Sequence, residues 1–239
     1  MGCPCNAEIV FLLTLLRRWY VVAFLIAYFA TSIPERGVKA SLRFFVIASV
    51  VAFAAEYTST HTGFPFGHYA YTGHTRGDEL YLSNVPAFVP VSYAVMIYAG
   101  RSIATFLTRS KVALVALGAV ATTAVDLVVD PVAVRGSQWF LGDLFHYAHD
   151  GPWFGVPLTN FAGWILTAGV VLAVDESLGC RESVAPARRG ILLATGVLAF
   201  NVVLAFAIGA VAVGFASLAA TGIMAVGPVR TWRTREPVR

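Results

Sequence analysis

Long runs of apolar residues alternate with short polar segments along this chain of 239 residues. Most runs approach or exceed the roughly 20 residues that a helix needs to cross a bilayer. The predicted spans cover residues 9–33, 40–56, 85–107, 112–130 and 158–174, with two more in 190–226. The last stretch is too long for one straight helix and should turn near Gly209. We therefore expect an all-α, multi-pass membrane helical bundle of about seven transmembrane helices, forming one integral membrane domain over residues 1–239.

Two arginines interrupt the first apolar run. Arg17 and Arg18 lie inside the stretch 9–33. Either the helix is long and both side chains extend to the membrane surface, or the true span starts near Trp19.

Composition and charge support the same class of protein. The chain is 58% hydrophobic and only 13% charged, whereas soluble domains have about 25% charged residues. The net charge of +4 fits basic cytoplasmic loops, and no basic patch interleaved with aromatic residues indicates nucleic-acid binding. The expected surroundings are therefore the lipid bilayer of the cell membrane, with no nucleic-acid partner.

The charges in the connections predict how the helices are oriented. Lys and Arg cluster after the first, third and fifth spans and in the tail, whereas the connections 57–84 and 131–157 are long and have no such cluster. Basic connections tend to stay in the cytoplasm. Because two spans separate the long connections, both should lie together on the opposite face.

Acidic residues near the ends of predicted helices are the first candidates for chemistry. Asp126 and Asp130 are four residues apart and so share one helix face. An acid within a span costs roughly 2.5–3.5 kcal/mol, which marks it as a functional candidate. Two carboxylates so close in a low dielectric do not both ionise easily, so one should keep its proton and serve as a general acid. Alternatively both lie at the interface, with Asp130 holding the loop before Pro131.

Other polar residues are open to two interpretations. Glu56 is predicted to end the second helix on the same side, where it either completes an acidic cluster or is a solvated helix-end residue. Asp175 and Glu176 fall on the opposite side and are expected to be solvated. The five histidines lack the HxxxH and HxxHH boxes of membrane di-iron enzymes, so no metal and no other cofactor is expected.

Aromatic side chains are dense in the two long connections. Trp and Tyr at a membrane surface often anchor a helix, which accounts for part of them. The others can line a pocket for a long apolar ligand, and their ring faces can stabilise a carbocation. Asn160 could hold a water or cap the fifth helix. The predicted substrate-binding residues are Phe64, Phe66, Tyr69, Tyr71, Trp139, Trp153, Asn160 and Trp164.

Three sequence blocks occupy the region from about residue 56 to residue 164. They are Glu56-Tyr57 with TGFPFGHYAYT at 62–72, Val85-Pro86 with Pro90, and DLVVDPVA at 126–133 continuing to GVPLTNFAGW at 155–164. Together they resemble the family of carotenoid biosynthesis proteins that includes bisanhydrobacterioruberin hydratase and the 1′-hydratase of γ-carotene.

The resemblance implies a carotenoid hydratase, a hydro-lyase that needs no cofactor. It would add water across the terminal double bond of an acyclic carotenoid ψ-end dissolved in the membrane, giving a tertiary alcohol. Such a reaction needs an acid, a site that tolerates a tertiary cation, and one delivered water. We assign the acid to Asp126 or Asp130 and the orientation of water to Glu56. The alternatives are another prenyl-lipid enzyme, such as a carotenoid cyclase, or a non-catalytic carotenoid or lipid binding or transport protein.

Overall fold

The computed structural model describes residues 7–179 and 185–233, which contain eight α-helices and four short strands. The end of the basic tail, 234–239, lies outside the described residues. The helices are α1 Ala7–Arg17, α2 Trp19–Arg36, α3 Val38–Thr62, α4 Phe88–Ala104, α5 Lys111–Ala133, α6 Leu158–Ser177, α7 Arg188–Ala207 and α8 Val211–Arg233. The strands are β1 Tyr69–Tyr71, β2 Tyr81–Leu82, β3 Val85–Pro86 and β4 Phe145–Tyr147.

The helices form an all-α membrane bundle, as the apolar runs predict. Four of them, α3, α5, α6 and α7, are long and apolar enough to cross a membrane, and the bent pair α1–α2 brings the number to five if it counts as one span. Helix α4 and the apolar part of α8, Val211–Val226, are shorter. The count of seven spans stays a prediction that requires both shorter helices to cross as well.

The first apolar run is not one straight span. Helices α1 and α2 meet at an angle of 82°, so the predicted single helix over 9–33 is wrong and a helix that starts at Trp19 is confirmed. The break occurs at Arg18, which is only 1% exposed. Its guanidinium pairs with Glu79 through two nitrogens and donates to the carbonyl of Leu141. A buried arginine requires such acceptors, and both of them lie in the long connections.

Two other predicted helix ends come too early. Helix α3 continues to Thr62 and ends at Gly63, whose φ of 81° is the left-handed C-cap conformation. Glu56 therefore lies inside the helix and is buried. Helix α5 continues through Pro131 to Ala133, although proline cannot donate to the carbonyl four residues earlier.

The carbonyl that Pro131 leaves free belongs to Leu127. The indole N–H of Trp153 donates to it at 3.0 Å, so a side chain from the following connection replaces the missing helical bond. This contact explains how the helix tolerates proline at position 131.

Helix α4 is the centre of the bundle. Every residue from Tyr93 to Gly100 is buried, and the helix packs against α3, α5 and α7. A Cβ atom added at Gly100 would lie 2.2 Å from the hydroxyl oxygen of Thr122. Only glycine therefore lets α4 and α5 approach this closely, a device common between membrane helices.

The two long connections meet on one face of the bundle, as the charge pattern predicts. Strand β1 from the first connection pairs antiparallel with β4 from the second, with Tyr69 opposite Tyr147 and Tyr71 opposite Phe145. This ladder brings residues about 76 positions apart along the chain into direct contact.

Ion pairs connect the helices at the other end of the bundle. Asp175 is 1% exposed and pairs with Arg36 and Arg43, and Glu176 pairs with Arg101. The prediction that these two acids are solvated is wrong, because α2, α3 and α4 each bring an arginine to the level at which α6 ends.

Candidate active site

A largely apolar cavity of about 210 Å³ lies among helices α2 to α7 and is bordered by β1 and β4. Three carboxyl groups line it, those of Glu56, Asp126 and Asp130. None of the described lining residues is Arg, Lys or His. Apart from the acids and a few polar groups, the wall of the cavity is therefore aromatic and aliphatic.

Asp126 and Asp130 are held as a pair by one amide. The Nδ2 of Asn160, in the first turn of α6, donates to Oδ2 of Asp126 at 2.9 Å and to Oδ2 of Asp130 at 2.7 Å. Asp126 is fully buried, and its Oδ1 accepts no hydrogen bond from an N–H or O–H group of the described residues. The prediction that α5 presents both acids on one face is confirmed.

Asp130 has a second donor from the ladder. The hydroxyl of Tyr147 donates to Oδ2 of Asp130 at 3.1 Å. Burial, and after it the charge of Asp130, raises the pKa of Tyr147 well above its ordinary value of 10.0. The phenol therefore keeps its proton and remains a donor.

Glu56 is surrounded by three phenols. Tyr69 and Tyr71 donate to Oε2, the latter at 2.6 Å, and Tyr93 donates to Oε1 at 2.6 Å. Burial, followed by the charge of Glu56, raises the pKa of Tyr69 and of Tyr71 well above 10.0. An ionised carboxylate is acceptor-only and has room for several donors, so the three phenols favour a negative Glu56 against the cost of its burial.

Aromatic rings close the cavity beside these acids. Trp164 stacks on Tyr93 with ring centroids 4.4 Å apart and an interplanar angle of 12°. Phe66 packs against Trp164 at 5.9 Å. A Cβ atom at Gly163 would lie 2.4 Å from the ring of Phe66, so the glycine allows Phe66 to approach α6.

Nine of the predicted site residues line this cavity and two do not. Phe64 is 65% exposed and follows the C-cap of α3 in a turn that directs Phe66 inward. Trp153 instead supplies the donor to Leu127 described above. Phe64 and Trp153 do not line this cavity, and their part in binding substrate stays a prediction. The residues brought together are Glu56, Phe66, Tyr69, Tyr71, Asp126, Asp130, Trp139, Asn160 and Trp164.

Several lining residues were not predicted as site residues. Tyr93 and Tyr147 each bind one of the acids, and a phenol inside an apolar span was the signal that could have identified Tyr93. Asn201 lines the cavity while its amide donates to the carbonyl of Val197 at 2.9 Å.

In the part of the chain that the structure describes, no cluster of three His, Cys, Asp or Glu side chains is placed to hold a metal ion. On the loop-bearing face, His146 instead pairs with Asp143 at 2.8 Å.

Comparison with known proteins points to one family. A family model described as "Carotenoid biosynthesis protein" matches residues 16–228. The bisanhydrobacterioruberin hydratase of Haloarcula japonica is 29% identical over 136 residues, which are 55% of this chain and 43% of that protein. The chain thus spans less than half the length of this curated relative. No solved structure matches.

Proposed function

Since the chain belongs to the carotenoid biosynthesis protein family, we propose that it is a carotenoid hydratase of the cell membrane. It adds water to the terminal double bond of an acyclic carotenoid and forms a tertiary alcohol. The observation that carries this proposal is the convergence of three carboxyl groups in one aromatic cavity. The related protein named as a hydratase supports the same reaction class.

The first step is protonation of the alkene. Asp126 and Asp130 share the donor of Asn160. Two carboxyl groups at such close range do not both carry a charge easily, so the pair holds one proton. The carboxyl group of Asp126 gives its proton to the hydrogen-bearing carbon of the terminal double bond. The π electrons form the new C–H bond, a tertiary cation remains on the adjacent carbon, and Asp126 becomes a carboxylate.

The cavity then stabilises the cation. Glu56 provides negative charge that three phenols hold in a fixed position, and fixed charge in a water-poor site is more effective than mobile charge in water. The stacked rings of Tyr93 and Trp164 add their electron-rich faces. No cationic side chain is among the described lining residues, and the nearby Arg18 behind the wall is paired with Glu79.

Water capture completes the reaction. The oxygen of one water attacks the tertiary carbon, and a carboxylate, that of Glu56 or of the aspartate pair, accepts the proton that this water loses. The sum is one water consumed per double bond, with no redox change.

The cavity suits the end of a polyene and not the whole molecule. Its volume of about 210 Å³ is below the roughly 300–1,000 Å³ of pockets that enclose a complete drug-sized ligand. One end group therefore enters while the remaining chain stays in the bilayer.

Expression in a host that makes lycopene tests the proposal. We expect pigments heavier by one water per reacted end, and we expect Asp126→Asn to leave the precursor. Asp143→Asn is the matched control, because Asp143 lies on the same face but outside the cavity lining. A product of unchanged mass would indicate cyclisation, and unaltered pigment bound to the protein would indicate a non-catalytic binder. Either result, or normal hydration by Asp126→Asn, contradicts the assignment.

A further inference from the structure

A second cavity adjoins the first on the face that carries the long connections. It has a volume of about 420 Å³, and its lining includes Arg135, His146 and Asp150. These residues make it polar, in contrast to the inner cavity. Phe145 and Tyr147 line both cavities, so residues of strand β4 form a wall that the two spaces share.

Tyr147 is the polar part of this shared wall. The hydroxyl of Tyr147 donates to Asp130 on the side of the inner cavity. Tyr147 also lines the outer cleft. A phenol oxygen can accept a hydrogen bond while it donates one. Tyr147 is thus able to receive a water from the cleft without releasing the carboxyl group.

We propose that the water consumed in the reaction enters through this outer cleft and passes Tyr147, which positions it for delivery to the carboxyl groups. The inference rests on the proposed hydration. The two reactants then reach the site by different routes, the polyene from the bilayer and the water from the polar face.

A separate water route solves a chemical difficulty. A tertiary cation in a cavity open to bulk water would be quenched or would never form, and a cavity sealed by apolar walls would hold no water to capture it. A single polar contact in the wall admits water one molecule at a time. Phe145, the apolar neighbour in the same strand, keeps the rest of this wall dry.

Failure of water delivery has its own chemical signature. A cation that meets no water loses a proton to a carboxylate, which restores an alkene. In D2O the acid carries deuterium, so an alkene restored by loss of a hydrogen from a neighbouring methyl group retains deuterium at the carbon that was protonated. Protonation and water capture can therefore be measured separately.

The experiment uses membranes containing the full chain, an acyclic carotenoid and D2O, with product and recovered substrate examined by mass spectrometry. The unaltered protein should give hydrate with one carbon-bound deuterium and little label in the recovered substrate. Tyr147→Phe removes one hydrogen-bonding group and should lower hydrate about tenfold while label in the recovered substrate rises. His146→Trp should act in the same direction by filling the cleft, since His146 lines it, and a side chain that is 67% exposed should be replaceable without disturbing the bundle. Tyr81→Phe, on the same face but outside both cavities, is the control.

Two results would overturn the inference, and a third would remove the hydration on which it rests. Hydrate formed by both variants at the unaltered rate, with unlabelled substrate, would show that water takes another route. Loss of hydrate and label together in Tyr147→Phe would show that Tyr147 acts on the acid and not on water. Absence of both hydrate and label in the unaltered protein is distinct from these, because it removes the proposed hydration itself.

Discussion

Replacing Glu56 with glutamine should remove a charge from the cavity while it keeps the shape of the side chain. In the structure two phenols donate to Oε2 and Tyr93 donates to Oε1. An amide accepts through only one of its two terminal atoms, so one phenol loses its acceptor at a cost of roughly 1–3 kcal/mol. Burying a neutral amide also costs less than burying a carboxylate, which offsets part of that loss. We therefore expect a folded protein of slightly altered stability.

The effect on turnover should be much larger. Opposite unit charges attract by about 4 kcal/mol at 4 Å, and by about 2 kcal/mol at 8 Å, for an effective dielectric constant of about 20. Because about 1.4 kcal/mol corresponds to a factor of ten in rate, removing the attraction between the Glu56 carboxylate and the cation should slow hydration about 30-fold to 1,000-fold. The size of the loss reports how near the cation forms to Glu56.

The assay is the initial rate of hydrated carotenoid, read by mass, together with thermal unfolding of the same detergent-solubilised preparation. Asp143→Asn is the matched control, since the Asp143 side chain is 38% exposed and lies outside the cavity lining. If Glu56→Gln unfolds normally and keeps more than about a tenth of the rate, the carboxylate lies beyond the distances considered above and does not stabilise the cation.

Two further experiments test the polar contacts that hold the site and the helices around it. Asn160→Leu removes the amide that donates to Asp126 and Asp130; with bonds to charged groups worth about 1.5–3 kcal/mol each, hydration should fall at least tenfold, and an unchanged rate would contradict the pairing. Glu79→Leu leaves Arg18 buried without its carboxylate and should destabilise the protein by about 3–5 kcal/mol, whereas the double replacement with Arg18→Met should recover most of that loss. Thermal unfolding in detergent measures the stability of the single and double variants. A double variant destabilised by the sum of the two single losses would refute the ion-pair account.

The sequence predicted the bundle well because apolar run length and the distribution of Lys and Arg both reflect the bilayer. It predicted helix ends poorly because these depend on distant partners. The break at Arg18 is set by Glu79, 61 residues later, and the helix through Pro131 depends on an indole 22 residues later. No local pattern reports either contact.

The same distinction applies to the candidate site. Spacing alone identified the pair Asp126 and Asp130, since residues four apart on a helix share a face. The two interpretations of Glu56 could not be separated from the sequence, because the phenols that meet it lie elsewhere in the chain, Tyr93 being 37 residues away. Aromatic density indicated a pocket but could not separate Phe66, which faces it, from Phe64, which does not.

The β1–β4 ladder connects the stability of the buried acids to the folding of the connections outside the bundle. Burying a carboxyl group is costly unless donors meet it, and three of the donors to these acids, Tyr69, Tyr71 and Tyr147, come from the two paired strands. If the strands did not pair, Glu56 would keep only one phenol and Asp130 only the amide of Asn160. The helices alone can therefore place three acids in one cavity, but the pairing of the two long connections supplies donors that offset the free-energy cost of burying those acids.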